Sequence, residues 1–536
     1  MQSRAPIAVM AVAFAVVALG IIAARPTEPD APAAVTVDAT IEIGSMQTRL
    51  GTQFVWPGAL DRTTGARARY TALAPPLVRI NATTIGATSV LPAGIAKGDW
   101  SFSALDSMVS DIVRGGGEVV LTVAYAPLWM WDCGGRTVRD PTFAEFGEYM
   151  ARLVSYYNTG SVVAEDGRVI ANPAGRANRI RYWELWNEPD LLDGCPPAGN
   201  KLSVSEYVAM WNGTVPKMLA SDPGIKLVGP ATAHGATAND PDYLPALMSG
   251  ARRKPDIVSF HAYGGWLNSQ TDRFLFAGQN GSFGLDGIER GLARVKDWAP
   301  GIPIWITELG VNSAWEEQGS QRAWTAFGAA WGASAFRRLA LGGADALYQY
   351  QFSHPDVRQF SLVDARTGEP LLPYWRDYYL ARYFAPGSTV LASSSNLSGV
   401  ETLAVRAPGS TTVNVLVINR QADGAASVGG PGRPAVVQVT VKKLSGVSGV
   451  TARMLDDTTP LDVGPPAVAL PTGSSVTVSF SGYGAALLEF SSRPSASGAD
   501  RGTFTRSTSS AQRSRSAMRS LACPSPNGLT TCAMRS

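Results

Sequence analysis

A chain of 536 residues is too long for one small hydrophobic core and long enough for a barrel with an accessory domain. Apolar residues make up 45% and charged residues 17%, the balance of a globular chain rather than a charge-rich disordered one. The formal net charge of +3 excludes a strongly basic nucleic-acid binder. The excess is also local, because residues 491–536 hold seven Arg and one Asp and leave a mildly acidic body.

Arg4 precedes an uncharged apolar run, Ala5 to Ala24, that closes in small residues before Arg25. Residues 1–25 therefore read as a signal peptide or an uncleaved membrane anchor, since a bilayer is spanned by about 20 apolar residues. The protein is expected to be exported, either periplasmic or extracellular, or tethered to the membrane and facing outside. Residues 26–44 read as a linker with one alternating strand, Val35 to Ile43, that is free to join a later sheet.

Residues 45–386 carry eight short apolar runs: LGTQFVW, PLVRIN, EVVLTVAYAP, IRYWELWNEP, KLVGPATA, PDIVSFHAYG, IPIWITELG and ADALYQYQF. Amphipathic stretches such as PTFAEFGEYMARLVSYY separate most of them. Runs without polar alternation suit strands covered on both faces, and alternation with helices implies a parallel sheet. The predicted fold class is α/β, a (β/α)8 TIM barrel. An open doubly wound sheet is disfavoured because no GxGxxG follows the first strand. Residues 387–490 change to closely spaced alternating runs such as AVVQVTVKK and SVTVSF, which predict a smaller all-β sandwich. Residues 491–536 read as a disordered Ser/Arg-rich tail.

Four cysteines suit export. Cys133 and Cys195 follow the third and fourth runs, which are neighbours in a barrel, so a disulfide is expected to fasten two rim loops. Cys523 and Cys532 could close a small loop in the tail. There is no Cys-x-x-Cys, and His234, His261 and His354 are scattered, so no metal site and no cofactor are expected.

Barrel enzymes work at the C-terminal ends of their strands. Glu188 ends the fourth run in Trp186-Asn187-Glu188-Pro189, and Glu308 ends the seventh in Trp305-Ile306-Thr307-Glu308. A carboxylate closing an apolar strand costs several kcal/mol of desolvation unless it is paired or protonated. Strands four and seven lie nearly opposite across a barrel mouth, where two carboxylates can flank a sugar ring. One can protonate the leaving oxygen while the other attacks or activates water; a gap of about 5–5.5 Å goes with retention and about 6.5–9.5 Å with inversion. The structural alternative for Glu308 is an ion-paired carboxylate, with Arg79 as partner. Glu184 reads as a barrel-interior or ion-paired residue. His234 is undecided, and His354, Asp356, Glu316 and Glu317 read as loop residues. Trp129 and Trp131 after strand three, with Trp56, Trp266 and Trp315 at other strand ends, are candidate sugar platforms.

WNEP closing strand four and ITELG closing strand seven resemble the signature of clan A glycoside hydrolases, which are retaining barrels. The resemblance implies Glu188 as acid/base and Glu308 as nucleophile. It implies Asn187 as a partner of the sugar 2-hydroxyl, His261 and Tyr263 of HAY around the nucleophile, and Arg79 of VRIN in its support. The barrel-then-sandwich order, the His-x-Tyr and GEPLLPYW are similar to glycoside hydrolase family 39, which includes β-xylosidases, α-L-iduronidases and bacterial exopolysaccharide hydrolases; families 5, 30, 51 and 79 share much of the pattern. The likeness spans about residues 45–490 and implies a hydrolase of O-glycosyl compounds whose partner is a polysaccharide or oligosaccharide, with no nucleic acid. The competing readings are a non-catalytic carbohydrate-binding barrel and a transglycosylase using the same residues. Oligomeric state is left open.

Overall fold

The computed structural model describes residues 32–61, 63–83, 96–196, 199–233, 242–279, 282–314 and 321–492. The leader, residues 493–536 of the expected tail, His234, Trp315, Glu316, Glu317, Cys523 and Cys532 lie outside them, whereas Ser491 and Ser492, expected in the tail, end the strand Gly484–Ser492 because they pair with its neighbour Val447–Leu455. Among the described residues no helix is long and apolar enough to cross a membrane.

The eight apolar runs form one closed barrel of parallel strands: Arg49–Phe54, Leu77–Thr83, Glu118–Val123, Tyr182–Leu185, Lys226–Thr232, Ile257–Tyr263, Ile304–Gly310 and Ala346–Gln349. The helices between them cover the outside. Ser103–Arg114 turns Leu105, Met108, Val109 and Ile112 inward, the 3.6-residue stripe that a barrel helix must bury. Val204–Ser221 opens on a capping box, in which Ser203 and Glu206 satisfy each other's backbone amides.

Side-chain alternation then builds the interior in layers. Leu77, Val120, Tyr182, Val228, Ile257, Trp305, Ala346 and Tyr348 form an apolar plug. One pleat step towards the C-terminal mouth, the same parity brings in Arg79, Thr122, Glu184, Ser259 and Thr307, all fully buried. This polar layer is cut off from water, so its charges must find partners within the barrel.

Two breaks in regular geometry set the mouth. In the seventh strand, Phe260 pairs with Ile306 but His261 pairs with Glu308, so Thr307 is an extra residue. The bulge turns Glu308 to the side that strict alternation would deny it. At the end of the fourth strand, Trp186 (φ 71) and Glu188 (φ 47) are left-handed. Such backbone costs about 1–3 kcal/mol per residue and needs surrounding structure to hold it. Here the Asn187 amide donates to the Ala124 carbonyl (3.2 Å), the Glu188 amide to that of Ala231 (2.9 Å), and the Asn200 side chain to the Asn187 carbonyl (2.8 Å).

The second region is a nine-stranded sheet that includes Ala33–Ser45 from ahead of the barrel. That strand lies antiparallel to Thr389–Ser395 and parallel to Ala435–Lys442. Ala435–Lys442 alternates buried and exposed residues, as a strand covered on one face does. Val413–Asn419 is buried throughout. Its Val413, Val415 and Val417 face the sheet's own core, whereas Leu416 and Ile418 share a core with the barrel helices. Glu401 adds a polar pin by accepting from Ser334 (2.6 Å) and Arg338 (2.8 Å) of the helix Ala326–Gly342.

Candidate active site

Arg79 is the hub. Its Nε donates to Glu184 Oε2 (2.6 Å), Nη1 to Gln53 Oε1 (2.9 Å) and Glu308 Oε1 (2.7 Å), and Nη2 to Asn187 Oδ1 (2.6 Å). One planar guanidinium thus ties strands one, two, four and seven together, which a lysine's single ammonium could not do. Burial alone would push the Arg79 pKa down, but Glu184 and Glu308 reverse this and fix the positive charge. Burial likewise pushes Glu184 up. Arg79, His261 and Thr122 bring it below the ordinary glutamate range. Glu184 is therefore the ion-paired interior residue of the barrel.

Glu308 is 7% exposed and accepts from Arg79 on Oε1 and from the Tyr263 hydroxyl on Oε2 (2.6 Å). Burial, with Glu308 nearby, pushes the Tyr263 hydroxyl well above the ordinary tyrosine value, so it remains a donor.

Glu188 has a different environment. Its Oε1 lies 2.8 Å from His261 Nδ1, which is itself 3.6 Å from Glu308 Oε2. Burial raises the Glu188 pKa and the charges of Glu308 and Asp190 add to the rise, against the pull of His261. Burial lowers His261, but the charges of Glu308 and Glu188 outweigh it and the net direction is up. One oxygen of Glu188, one of Glu308 and a nitrogen of His261 all lie within 4.8 Å of one another. That spacing would also admit a cation. However, Arg79 already places a positive charge 2.7 Å from one of the carboxylates, so the donor set suits a proton better.

Of the residues singled out from sequence, Arg79, Asn187, Glu188, His261, Tyr263 and Glu308 converge on this mouth. The tryptophans divide. Trp131, expected as a sugar platform, is instead only 5% exposed: its indole N–H donates to the Ala126 carbonyl (2.9 Å) and its ring packs on Trp186. The short helix Leu128–Met130 turns it inward, so it is a packing residue. Trp129 and Trp56 are partly buried, each with a buried indole N–H that has no partner among the described residues, and Trp266 is 44% exposed. Trp315 is outside the described residues. His354 is a loop residue whose Nδ1 accepts the Asp356 and Val357 amides.

Sequence reasoning missed Gln53, Thr122 and Asn200. The first two are polar residues interrupting LGTQFVW and EVVLTVAYAP at inward parity, a signal that could have found them. Asn200 sits in an irregular loop and carried none.

Cys133 and Cys195 form a disulfide between the loops after strands three and four, 62 residues apart in sequence. Closing a loop of that length restricts the unfolded chain by about 4 kcal/mol. The Cys133→Ser/Cys195→Ser chain should lose stability of that order in urea unfolding. Unchanged stability would mean that other contacts anchor both loops.

Residues 155–331 match the family model for the glycosyl hydrolase catalytic core, a span containing Glu188, His261 and Glu308. The protein is a glycosidase by class. Its fold is that of a GH39 enzyme from Xanthomonas axonopodis pv. citri (TM-score 0.63, 16% identity, 88% of this chain and 100% of that one). It is also that of a GH39 β-xylosidase from Caulobacter crescentus (0.58, 16%, 85% and 99%) and of a family 51 α-L-arabinofuranosidase from Bifidobacterium longum (0.62, 15%, 87% and 100%). No curated protein matches the chain by sequence.

Proposed function

We propose that the protein is a retaining glycoside hydrolase that cleaves an exported polysaccharide or oligosaccharide by double displacement, with Glu308 as nucleophile and Glu188 as acid/base. The observation that carries this reading is the close approach of the two carboxylates, whose nearest site oxygens lie within 4.8 Å. That approach favours the about 5–5.5 Å separation that goes with direct attack over the about 6.5–9.5 Å that goes with an interposed water. In the first step a Glu308 oxygen bonds to the anomeric carbon while Glu188 gives its proton to the departing oxygen. In the second, Glu188 takes a proton from water, which attacks the same carbon and releases Glu308. Asn187 is held through its oxygen by Arg79, and among the described residues its amide hydrogens have no acceptor, so they can donate to a sugar hydroxyl.

The disulfide and the apolar leader support export. The neighbours are named as acting on xylosides and arabinofuranosides, which puts xylans beside bacterial exopolysaccharides and uronic-acid polymers as test substrates. Reducing-end release by the parent and none by Glu188→Ala or Glu308→Ala would establish the activity. Proton NMR of the first-formed product should show retained anomeric configuration, and inversion would refute the double displacement.

The acid role also fixes a pH dependence. Since Glu188 is raised, its proton persists above the ordinary glutamate range, and kcat/KM should fall as pH rises through that raised pKa. Glu188→Gln should abolish this alkaline limb and slow glycosides with poor leaving groups by about 10²–10⁴-fold. An alkaline limb unchanged in Glu188→Gln would assign it to another group.

A further inference from the structure

Away from the barrel mouth, an open cavity of about 480 Å³ lies where the helix Asp272–Ala277 meets the nine-stranded sheet. Three arginines line it, Arg273, Arg420 and Arg433, against one lining carboxylate, Asp423. Arg420 is already engaged: its Nε lies 2.6 Å from Glu401, Nη2 donates to the Ser398 carbonyl (3.1 Å), and the guanidinium sits over the Phe276 ring. Asp423 accepts the Gly432 amide (3.0 Å). Arg273 and Arg433 are exposed, and among the described residues neither guanidinium has a carboxylate or other acceptor.

The walls are held in place from below. Fully buried Asp272, next to Arg273, accepts from Arg322 (2.9 Å), the Ser427 hydroxyl (2.9 Å) and the amides of Gly429 (2.9 Å) and Gly430 (3.2 Å). One carboxylate thereby fixes the helix against the loop that approaches the cavity from the sheet, so Arg273 and Arg433 are carried on an ordered backbone. The same helix follows directly on the loop 264–271 that leaves Tyr263 at the catalytic mouth.

We propose that this cavity is a second carbohydrate site, apart from Glu188 and Glu308, that binds a carboxylated sugar of a polysaccharide chain through Arg273 and Arg433. Guanidinium matches carboxylate in a planar two-point contact. The volume lies within the range of about 300–1,000 Å³ typical of ligand sites and far exceeds what one inorganic ion fills.

The test is calorimetric titration of the full chain carrying Glu308→Gln, which binds without turnover, using oligogalacturonate, a neutral xylo-oligosaccharide and inorganic phosphate as probes. Oligogalacturonate should bind, and Arg273→Gln and Arg433→Gln should each weaken it about tenfold. Raising salt from about 0.05 to about 0.5 M should weaken it further. In the catalytically intact chain, Arg273→Gln/Arg433→Gln should melt at the parent temperature and cleave a short aryl glycoside at the parent rate. Equal binding of the neutral oligomer, unaltered binding by the double variant, or no binding would overturn the proposal. Displacement by phosphate at the oligomer's own concentration would reduce the cavity to a simple anion site and overturn it too. Because binding is read without turnover, either result leaves the reading of Glu188 and Glu308 to be judged on its own assay.

Discussion

Replacing Glu308 by Ala should lower kcat by about 10⁴-fold or more on any substrate the parent cleaves. In the proposed mechanism the carboxylate forms the bond to the anomeric carbon, and no other acidic side chain shares its position between Arg79 and Tyr263 among the described residues. The loss alone would not separate a nucleophile from a structural carboxylate, but the stereochemistry of rescue does. With the side chain cut back, added azide can enter from the vacated side and give a glycosyl azide of inverted configuration. In Glu188→Ala, azide should attack the glycosyl-enzyme instead and give the retained product, because Glu308 has already inverted the centre once. Retained azide product from Glu308→Ala, or full activity in that variant, would exchange or remove the two roles.

Arg79→Met should be the most destabilising single substitution in the barrel, by about 3–5 kcal/mol, and should cost activity as well. Methionine fills the volume but strands two carboxylates, Glu184 with no exposed surface and Glu308 with little. It also releases Gln53 and Asn187. Adding Glu184→Gln removes one of the stranded charges, so the double variant should recover part of the stability without recovering activity, a coupling that independent sites would not show. Urea unfolding of the four chains measures it. A parent-like midpoint for Arg79→Met would mean that water or protonation relieves both carboxylates.

The structural ion pair weighed for Glu308 and the catalytic role proposed for it are compatible in one arrangement. The Arg79 pair is present, and it holds the carboxylate in place at the mouth beside Glu188. This is why the bland reading could not be dismissed from residue types alone.

What the sequence determined by itself is what local burial controls. Eight runs without polar alternation dictated eight strands covered on both faces, and the alternating runs after residue 387 dictated a second set of strands, one-sided where alternation is strict as in Ala435–Lys442. The two Glu residues were conspicuous because each closes an apolar strand. Tertiary structure decided the rest, because it depends on contacts between distant segments: Arg79 and Glu308 are 229 residues apart. Strict alternation would send Glu308 the wrong way, and pairing with the sixth and eighth strands sets the bulge at Thr307 that corrects it. Trp131 was expected at the cleft from its position in the chain, yet a neighbouring Trp186 and a carbonyl at Ala126 draw it into the core. The arginines of the second cavity come from a helix of the barrel region and from the connection between Val413–Asn419 and Ala435–Lys442, so no single stretch of sequence contains their pattern. Period and parity are properties of a segment, whereas the direction a side chain finally faces is settled by what packs against it.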